Sequence, residues 1–366
     1  MKTNLTLNPS STRLKAFTIV ELLVVIVVIG ILASITILSY TGITNKAIAS
    51  SLQSDLTNAS RQLDLFQVDH DYYPLTIDCS IPDSDTNKCI RSNTDPSPVY
   101  IVNNSLNPPG FCVSMIKNNI SYVITESKIA QEGDCENYGL VLLLDAGNTA
   151  SYPGSGTTWY DLSELGNDSV IVNGATYLNN NGVLSFSFDG IDDYVYLPNS
   201  SNFYYQNYTY LAWVNIANFG TGSDISTIFS KWGSSSSRTI QVNLHINSSG
   251  KIKSSVAKSS GDTIATILTG STSLTLSNWY MVACTFSNGV LKVWLNGVLD
   301  GSINTGYASI ANGSTAYLHI GKFDFTWTGY KDEMTGKIGY AKVYNREISS
   351  DEMLSIFNET KGNYGL

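Results

Sequence analysis

Positive charge is scarce in this sequence. Among 366 residues, 21 Lys and Arg stand against 30 Asp and Glu, a net charge of −9. A chain so poor in basic residues lacks the electrostatic footprint of a nucleic-acid binder. Charged residues of both signs make up only 14%, low for a cytosolic enzyme. Gly, Ser, Thr, Asn and Tyr are abundant instead, the profile of an extracellular β-rich protein. Histidine is nearly missing: His70, His245 and His319 stand far apart, with no serine or cysteine nucleophile motif around them. A search for Gly-x-Ser-x-Gly meets only Gly154-Ser155-Gly156. No candidate strand carries inward-facing acidic residues two positions apart, as a glycosidase on a sheet would need. The expectation is a protein that is not an enzyme. Cys-x-x-C spacing is also missing, which argues against a zinc site. Proline is missing from Phe17 to Tyr73, so none interrupts a helix there, and Gly30 is its weak point.

That proline-free stretch opens with the longest apolar run of the chain, Phe17 to Leu38. As a helix it is long enough to cross a bilayer. Its one charge, Glu21, sits about one turn after Phe17 and costs a few kcal/mol deep in hydrocarbon. Lys2, Arg13 and Lys15 precede the run without an acidic residue among them. The positive-inside rule keeps this leader cytoplasmic and sends the remainder across. After Tyr40 the apolar residues thin to Leu52, Leu56, Ala59, Leu63 and Phe66, at gaps of four and three that place them on one helical face. Pro74 pushes Tyr73 out of the helical region and ends the element.

Lys15-Ala16 followed by Phe17-Thr18-Ile19-Val20-Glu21-Leu22-Leu23 resembles the class III leader and helix start of type IV pilins and pseudopilins. The resemblance implies a prepilin peptidase that cuts between Ala16 and Phe17 and methylates the new N-terminus. Ala16 takes the place of the family's usual Gly. Assembly would then pair the amine of Phe17 with Glu21 of a neighbouring subunit, a device for fixing register. The alternatives are a secretory signal peptide cut after Ala47-Ile48-Ala49, for which the apolar run is too long, and a plain membrane anchor, which leaves Glu21 unexplained.

Cys79, Cys89, Cys112 and Cys135 cluster in one translocated region and read as two disulfides. Pairing of nearest neighbours, Cys79–Cys89 and Cys112–Cys135, is preferred among three connectivities. Residues 74–137 hold short strands, with Cys112–Met115 and Ser121–Thr125 the clearest, and turns at Asn107–Gly110 and Gln131–Asp134. So small a piece needs the helix stripe and the disulfides to make a core. Cys284, alone on a candidate strand, reads as a small buried hydrophobe.

From about Tyr138 the chain becomes a succession of short alternating strands, with Asn288-Gly289 and Asn296-Gly297 as hairpin signals. So many strands without a helical stripe indicate one β-sandwich. Ser349 or Ser350 is placed to cap a short closing helix. The expected fold is therefore an α+β pilin module followed by an all-β jelly-roll sandwich. Its segments are a leader (1–16), a long helix (17–73, with 17–38 in the membrane or filament core), a small disulfide-bonded domain (74–137) and the sandwich (138–366).

Several pieces of the last segment resemble laminin-G-like, concanavalin A-like jelly rolls. They are Phe188-Asp189-Gly190-Ile191-Asp192-Asp193-Tyr194-Val195, Asn207–Val214, the hairpin through Trp279–Phe286 and Leu291–Gly297, and Gly336–Arg346. The resemblance implies binding to glycans or protein surfaces, in some members through calcium. Asp189, Asp192 and Asp193 are candidate oxygen ligands for calcium, although as Asp-Gly and tight-loop residues they read first as turn formers. Trp159, Trp232 and Trp327, flanked by Gly and Ser, are candidates for an exposed binding rim, whereas Trp213, Trp279 and Trp294 belong to strands and to the core.

The resulting expectation is a pilin-like subunit, minor or at a tip, that displays a lectin-like domain for adhesion to a glycan or surface protein. Its expected partners are the prepilin peptidase, other pilin subunits and the inner membrane before assembly, with the bacterial surface or an extracellular pilus as its destination. The alternatives are a pseudopilin of a type II secretion or DNA-uptake system and a membrane-anchored laminin-G-like binding protein.

Overall fold

A computed structural model describes residues 19–95, 97–104, 108–198, 203–220, 225–232, 240–258, 265–310, 316–323 and 333–366 of the chain; the side chains of 34–41 and of Trp232 lie outside that description. Two compact units divide the chain, one reaching Val102 and resuming over Gly110–Cys135, the other holding Asn103–Pro109 and Glu136–Leu366.

The first unit is built on helix α1 (Ile19–His70). The expected stripe is its packing face: Leu52, Leu56, Ala59 and Leu63 are fully buried. They meet Phe111, Val113, Met115 and Ile124 of a small antiparallel sheet. That sheet has the order β1 (Val99–Asn103), β2 (Gly110–Lys117), β3 (Ile120–Thr125) and β4 (Gln131–Glu132). The turn expected to begin at Gln131 starts later, because Gln131 and Glu132 still pair with Val123 and Tyr122. Helix α1 ends on Asp71, whose φ of 64° is left-handed. Tyr73 then turns back to set its ring edge-on to Phe111, 4.8 Å between centroids. On the helix, Asp55 accepts from the Ser92 hydroxyl and the backbone N–H groups of Asn93 and Thr94, at 2.7–3.0 Å. One carboxylate thereby gathers the segment that leads into β1. The disulfides are Cys79–Cys89 and Cys112–Cys135.

In the second unit the chain lays down β5 (Leu140–Asp145), β6 (Thr158–Trp159), β7 (Ser169–Val172), β8 (Thr176–Asn180), β9 (Val183–Asp189), β10 (Tyr194–Leu197), β11 (Tyr208–Asn218) and β12 (Ile225–Trp232). It continues with β13 (Ile240–Asn247), β14 (Lys251–Val256), β15 (Thr266–Ser273), β16 (Trp279–Ser287), β17 (Val290–Leu295), β18 (Val298–Asn304), β19 (Leu318–Ile320) and β20 (Thr335–Tyr344). They form two antiparallel sheets. The first has the order β15-β14-β13-β12-β19-β10-β7-β6; the second has the order β18-β17-β16-β11-β20-β9-β8, with β5 also paired to β20. Alternate residues of the two sheets, among them Val195, Phe229, Leu244 and Ile320 from the first and Tyr210, Ala212, Val282 and Cys284 from the second, share one buried core. The sandwich follows from this period of two, since each strand turns one apolar row inward.

The two Asn-Gly pairs make the tightest hairpins. Asn288 and Gly289 have φ of 48° and 82°, Asn296 and Gly297 of 49° and 82°, the left-handed pair that a two-residue loop of matching twist requires. Helix α2 (Ser350–Thr360) opens with a capping box between Ser349 and Glu352. It covers the outer face of the second sheet, where Trp213, Met281 and Tyr344 pack with Met353, Ile356 and Tyr364. Arg346, buried, holds the Glu352 carboxylate through both terminal nitrogens, at 2.9 and 2.5 Å.

Asp300 joins the edge strands of the two sheets. Its Oδ1 accepts from the Ser271 hydroxyl (2.9 Å) and from the N–H and hydroxyl of Thr272 (3.0 and 2.6 Å). A side chain on Gly270 would meet Asp300 Oδ2 at 2.0 Å, so only glycine permits this approach. Asp300→Ala takes the carboxylate acceptor from the Thr272 N–H and hydroxyl, while the Ser271 hydroxyl keeps the Asp300 carbonyl at 3.0 Å, and we expect a loss of about 1–2 kcal/mol, read from chemical denaturation. Retention of full stability would show the seam to be held by other contacts.

Candidate functional site

The apolar run enters the structure as the first part of α1. From Ile19 to Leu32 its large apolar side chains are 48–80% exposed in the isolated chain. Glu21 lies in the first turn. A helix apolar all round is covered by lipid or by other helices. Among the described residues no helix is long and apolar enough to cross a membrane; the described side chains of the run stop at Ala33. Ala16 and Phe17, the expected processing pair, lie outside the described residues.

Of the three candidate rim tryptophans, one is placed in full. Trp159 is completely buried, its ring 4.7 Å from that of Phe186. It is a core residue, which corrects the expectation of a rim. The Gly- and Ser-rich sequence before it is a loop, but β6 carries the indole back under the sandwich. Trp232 ends β12, its side chain outside the described set, and Trp327 lies outside the described residues altogether. Trp213 and Trp294 are buried and Trp279 is partly so.

Asp189, Asp192 and Asp193 do converge: one carboxylate oxygen from each lies within 4.8 Å of the others. Two of the three also do loop work. Asp189 Oδ1 accepts from the N–H of Ile191 (2.8 Å) and more distantly of Asp192 (3.4 Å). Asp193 Oδ2 accepts from the N–H of Asp189 at 3.1 Å. Burial pushes the Asp193 carboxyl above its usual range, the N–H of Asp189 opposes this, and the charges of Asp189 and Asp192 add to the rise. These are the properties of an Asx-capped turn. The trio supplies part of the six to eight oxygens that calcium takes, so an ion there needs further oxygens from water or a ligand.

His70 stacks on Phe66 at 4.0 Å and meets the Phe66 carbonyl through Nδ1 at 2.9 Å; it finishes the helix. His245 and His319 are isolated in sequence. The fold sets them two strands apart on the same face of the first sheet. Only the strand register reveals that proximity.

Residues 189–353 match the family model described as the concanavalin A-like lectin/glucanases superfamily. The N-terminal region is similar to curated proteins of bacterial secretion. It is 38% identical over 64 residues to the type II secretion system core protein G of Dickeya chrysanthemi, covering 18% of this chain and 42% of that protein. Against the core protein G of Escherichia coli (strain K12) it is 34% identical over 67 residues, 18% of this chain and 46% of that protein. The chain thus spans less than half the length of these relatives. Among solved structures, the binding domain of Paraclostridial Mosquitocidal Protein 1 aligns with a TM-score of 0.49 at 9% identity, over 61% of this chain and 53% of that one. The botulinum neurotoxin serotype C1 binding domain aligns with a TM-score of 0.47 at 15% identity, over 61% and 52%.

Proposed function

We propose that this chain, pseudopilin-like in its N-terminal region and concanavalin A-like over its C-terminal part, is a filament subunit that carries a lectin-like binding domain to the cell surface. The observation that carries the reading is the union in one chain of an exposed apolar helix with Glu21 in its first turn and a large β-sandwich. Prepilin peptidase cuts between Ala16 and Phe17 and methylates Phe17. Before assembly the apolar run sits in the inner membrane with the leader inside. In the fibre, Glu21 meets the amine of a neighbour. The sandwich would crowd a closely packed shaft, which suits a minor or tip subunit. Its role is binding to a glycan or surface protein, not catalysis.

The likeness to type II secretion system core protein G favours a second reading, in which the subunit serves a type II secretion pseudopilus and the sandwich grips a partner protein. Two measurements test these ideas. Mass spectrometry of the exported chain should find a mature N-terminus at Phe17, methylated; a chain that starts at Met1, or at Ser50, removes the filament reading. Glu21→Ala should leave the chain processed but lower its incorporation into fibres at least tenfold. Co-purification with secretion components, together with binding to no saccharide, selects the second reading.

A further inference from the structure

Two strands share one edge of β20. Residues 335–338 pair with β9 and residues 340–344 with β5. Gly339 lies between them and belongs to neither ladder. On the other side of β20 it is the extra residue of a bulge against Trp213 and Val214. Its carbonyl accepts from the N–H of Ala146 at 2.9 Å. A side chain on Gly339 would meet the Tyr364 hydroxyl at 2.7 Å and the Leu184 carbonyl at 3.1 Å. Beside this break lies a cavity of about 180 Å³, lined by Asp145, Gly147, Gly182, Leu184, Asn363 and Tyr364.

Asp145 is the one charged residue of the lining, and it is held still. Its N–H donates to Ser151 Oγ at 3.1 Å, and its Oδ1 accepts from the N–H of Gly147 at 2.7 Å. Its Oδ2 has no hydrogen-bond or ion-pair partner among the described residues. Burial pushes the carboxyl above its usual range, and the Gly147 N–H and the Lys342 charge oppose this. Lys342, two positions beyond Tyr340 on β20, does not pair with it. The Lys342 ammonium lies over the rings of Tyr340 and Tyr344, at 5.8 and 5.9 Å, which hold a cation without a carboxylate. Asp145, Glu136 and Glu359 all act on Lys342, so acidic groups outnumber basic ones around this cavity. A half-buried carboxylate short of a counter-charge favours an entering cation.

The other walls say which cation. Leu184 and the buried Tyr364 offer apolar surface, and the exposed Asn363 offers an amide oxygen. A Cβ on Gly182 would meet nothing within 4 Å, so the rim there is open. The volume is well below the roughly 300–1,000 Å³ of pockets that enclose a drug-sized ligand, and it suits one unbranched group. A single carboxylate with an amide and a phenol falls short of the six to eight oxygens that calcium takes. An ammonium group brings three N–H donors and needs only a few acceptors.

We infer that this cavity binds a protonated primary alkylamine, with its ammonium on Asp145 Oδ2 and the Asn363 amide oxygen and its methylene stem between Leu184 and Tyr364. A lysine side chain on a protein surface and a free diamine both present this group on this stem. The site is separate from the tryptophan rim and the aspartate loop, and it does not depend on the filament or glycan readings.

The test follows the backbone amide signals of Gly147 and Asn363 by nuclear magnetic resonance in the isotope-labelled full-length chain in detergent. The titrants are cadaverine, Nα-acetyl-lysine methylamide and Nα-acetyl-norleucine methylamide, which keeps the stem and lacks the ammonium. The amines should bind about tenfold more tightly than the norleucine compound. Asp145→Asn keeps an acceptor for the Gly147 N–H, removes the charge and should weaken amine binding about tenfold. Asn363→Asp, at an exposed position of the rim, should tighten it about two- to fivefold, and it carries the test if Asp145→Asn fails to fold. A response to cadaverine alone assigns the site to free amines, and a response to the lysine compound alone assigns it to protein side chains; both support the inference. No shift with either amine, equal affinity for the norleucine compound, or an affinity that neither variant moves overturns it, and leaves the filament and glycan readings as they stand.

Discussion

Replacing Trp213 with alanine should lower the melting temperature of the sandwich by about 6–20 °C. The indole is fully buried on β11, in the middle of the second sheet. On its outer side it stacks against Phe357 at 5.7 Å and Tyr364 at 4.3 Å. Its Nε1–H donates to Thr360 Oγ1 at 2.7 Å. One side chain thus fastens both α2 and the 3₁₀ turn Lys361–Tyr364 to the sheet. Truncation of a buried tryptophan costs about 3–5 kcal/mol, because the cavity closes only in part. A unit of this size loses about 2–4 °C for each kcal/mol. Trp213→Phe keeps the stack and gives up the indole bond, about 1 kcal/mol. Differential scanning calorimetry of the two variants separates packing from hydrogen bonding. A change below a few degrees for Trp213→Ala would mean that the helix is docked by other contacts.

Acid should destabilise the sandwich well before its carboxylates are protonated. Burial, aided by Lys253, holds His245 at about 3; burial, aided by Lys322 and Lys231, holds His319 at about 4. In the unfolded chain both titrate near 6.5. The folded state therefore binds fewer protons between these limits. Stability is complete above pH 6.5 and falls as the pH drops towards the folded values. At pH 5 the unfolded chain is protonated at both rings and the folded chain at neither, a loss of about 2 kcal/mol per histidine. Asp145 and Asp193, pushed up by burial, take up protons in the fold and oppose part of the loss at lower pH. Urea denaturation at pH 7 and pH 5 measures the difference, and His245→Gln should remove about half of it. Equal stability at the two values would show that the imidazoles are solvated.

Much of this architecture could be read from local chemistry. The helix stripe Leu52, Leu56, Ala59 and Leu63 needed only its period, and the Asn-Gly hairpins only the left-handed preference of those two residues. The capping box at Ser349 and Glu352 was legible for the same reason, since both partners lie within one turn. Strands rich in Ser, Thr and Asn were not legible: β8, β14, β15 and β18 carry little apolar alternation, and their neighbours in the sheet define them. Trp159 misled because flanking Gly and Ser describe the loop before it and not the short strand it ends. The cavity at Asp145 was hidden more deeply. Asp145, Leu184 and Tyr364 lie far apart in the chain, and they meet only because β5 and β9 share one edge of β20.

Cys284 has a practical consequence. The other four cysteines are locked in the disulfides of the first unit, and this single thiol lies in the sandwich core. Burial pushes it up to about 12, so almost no reactive thiolate forms while the sheets stay together. A maleimide added to the intact protein can couple only when the second unit opens. The molecule thereby carries its own chronometer, and alkylation kinetics read the breathing of the sandwich without an introduced label.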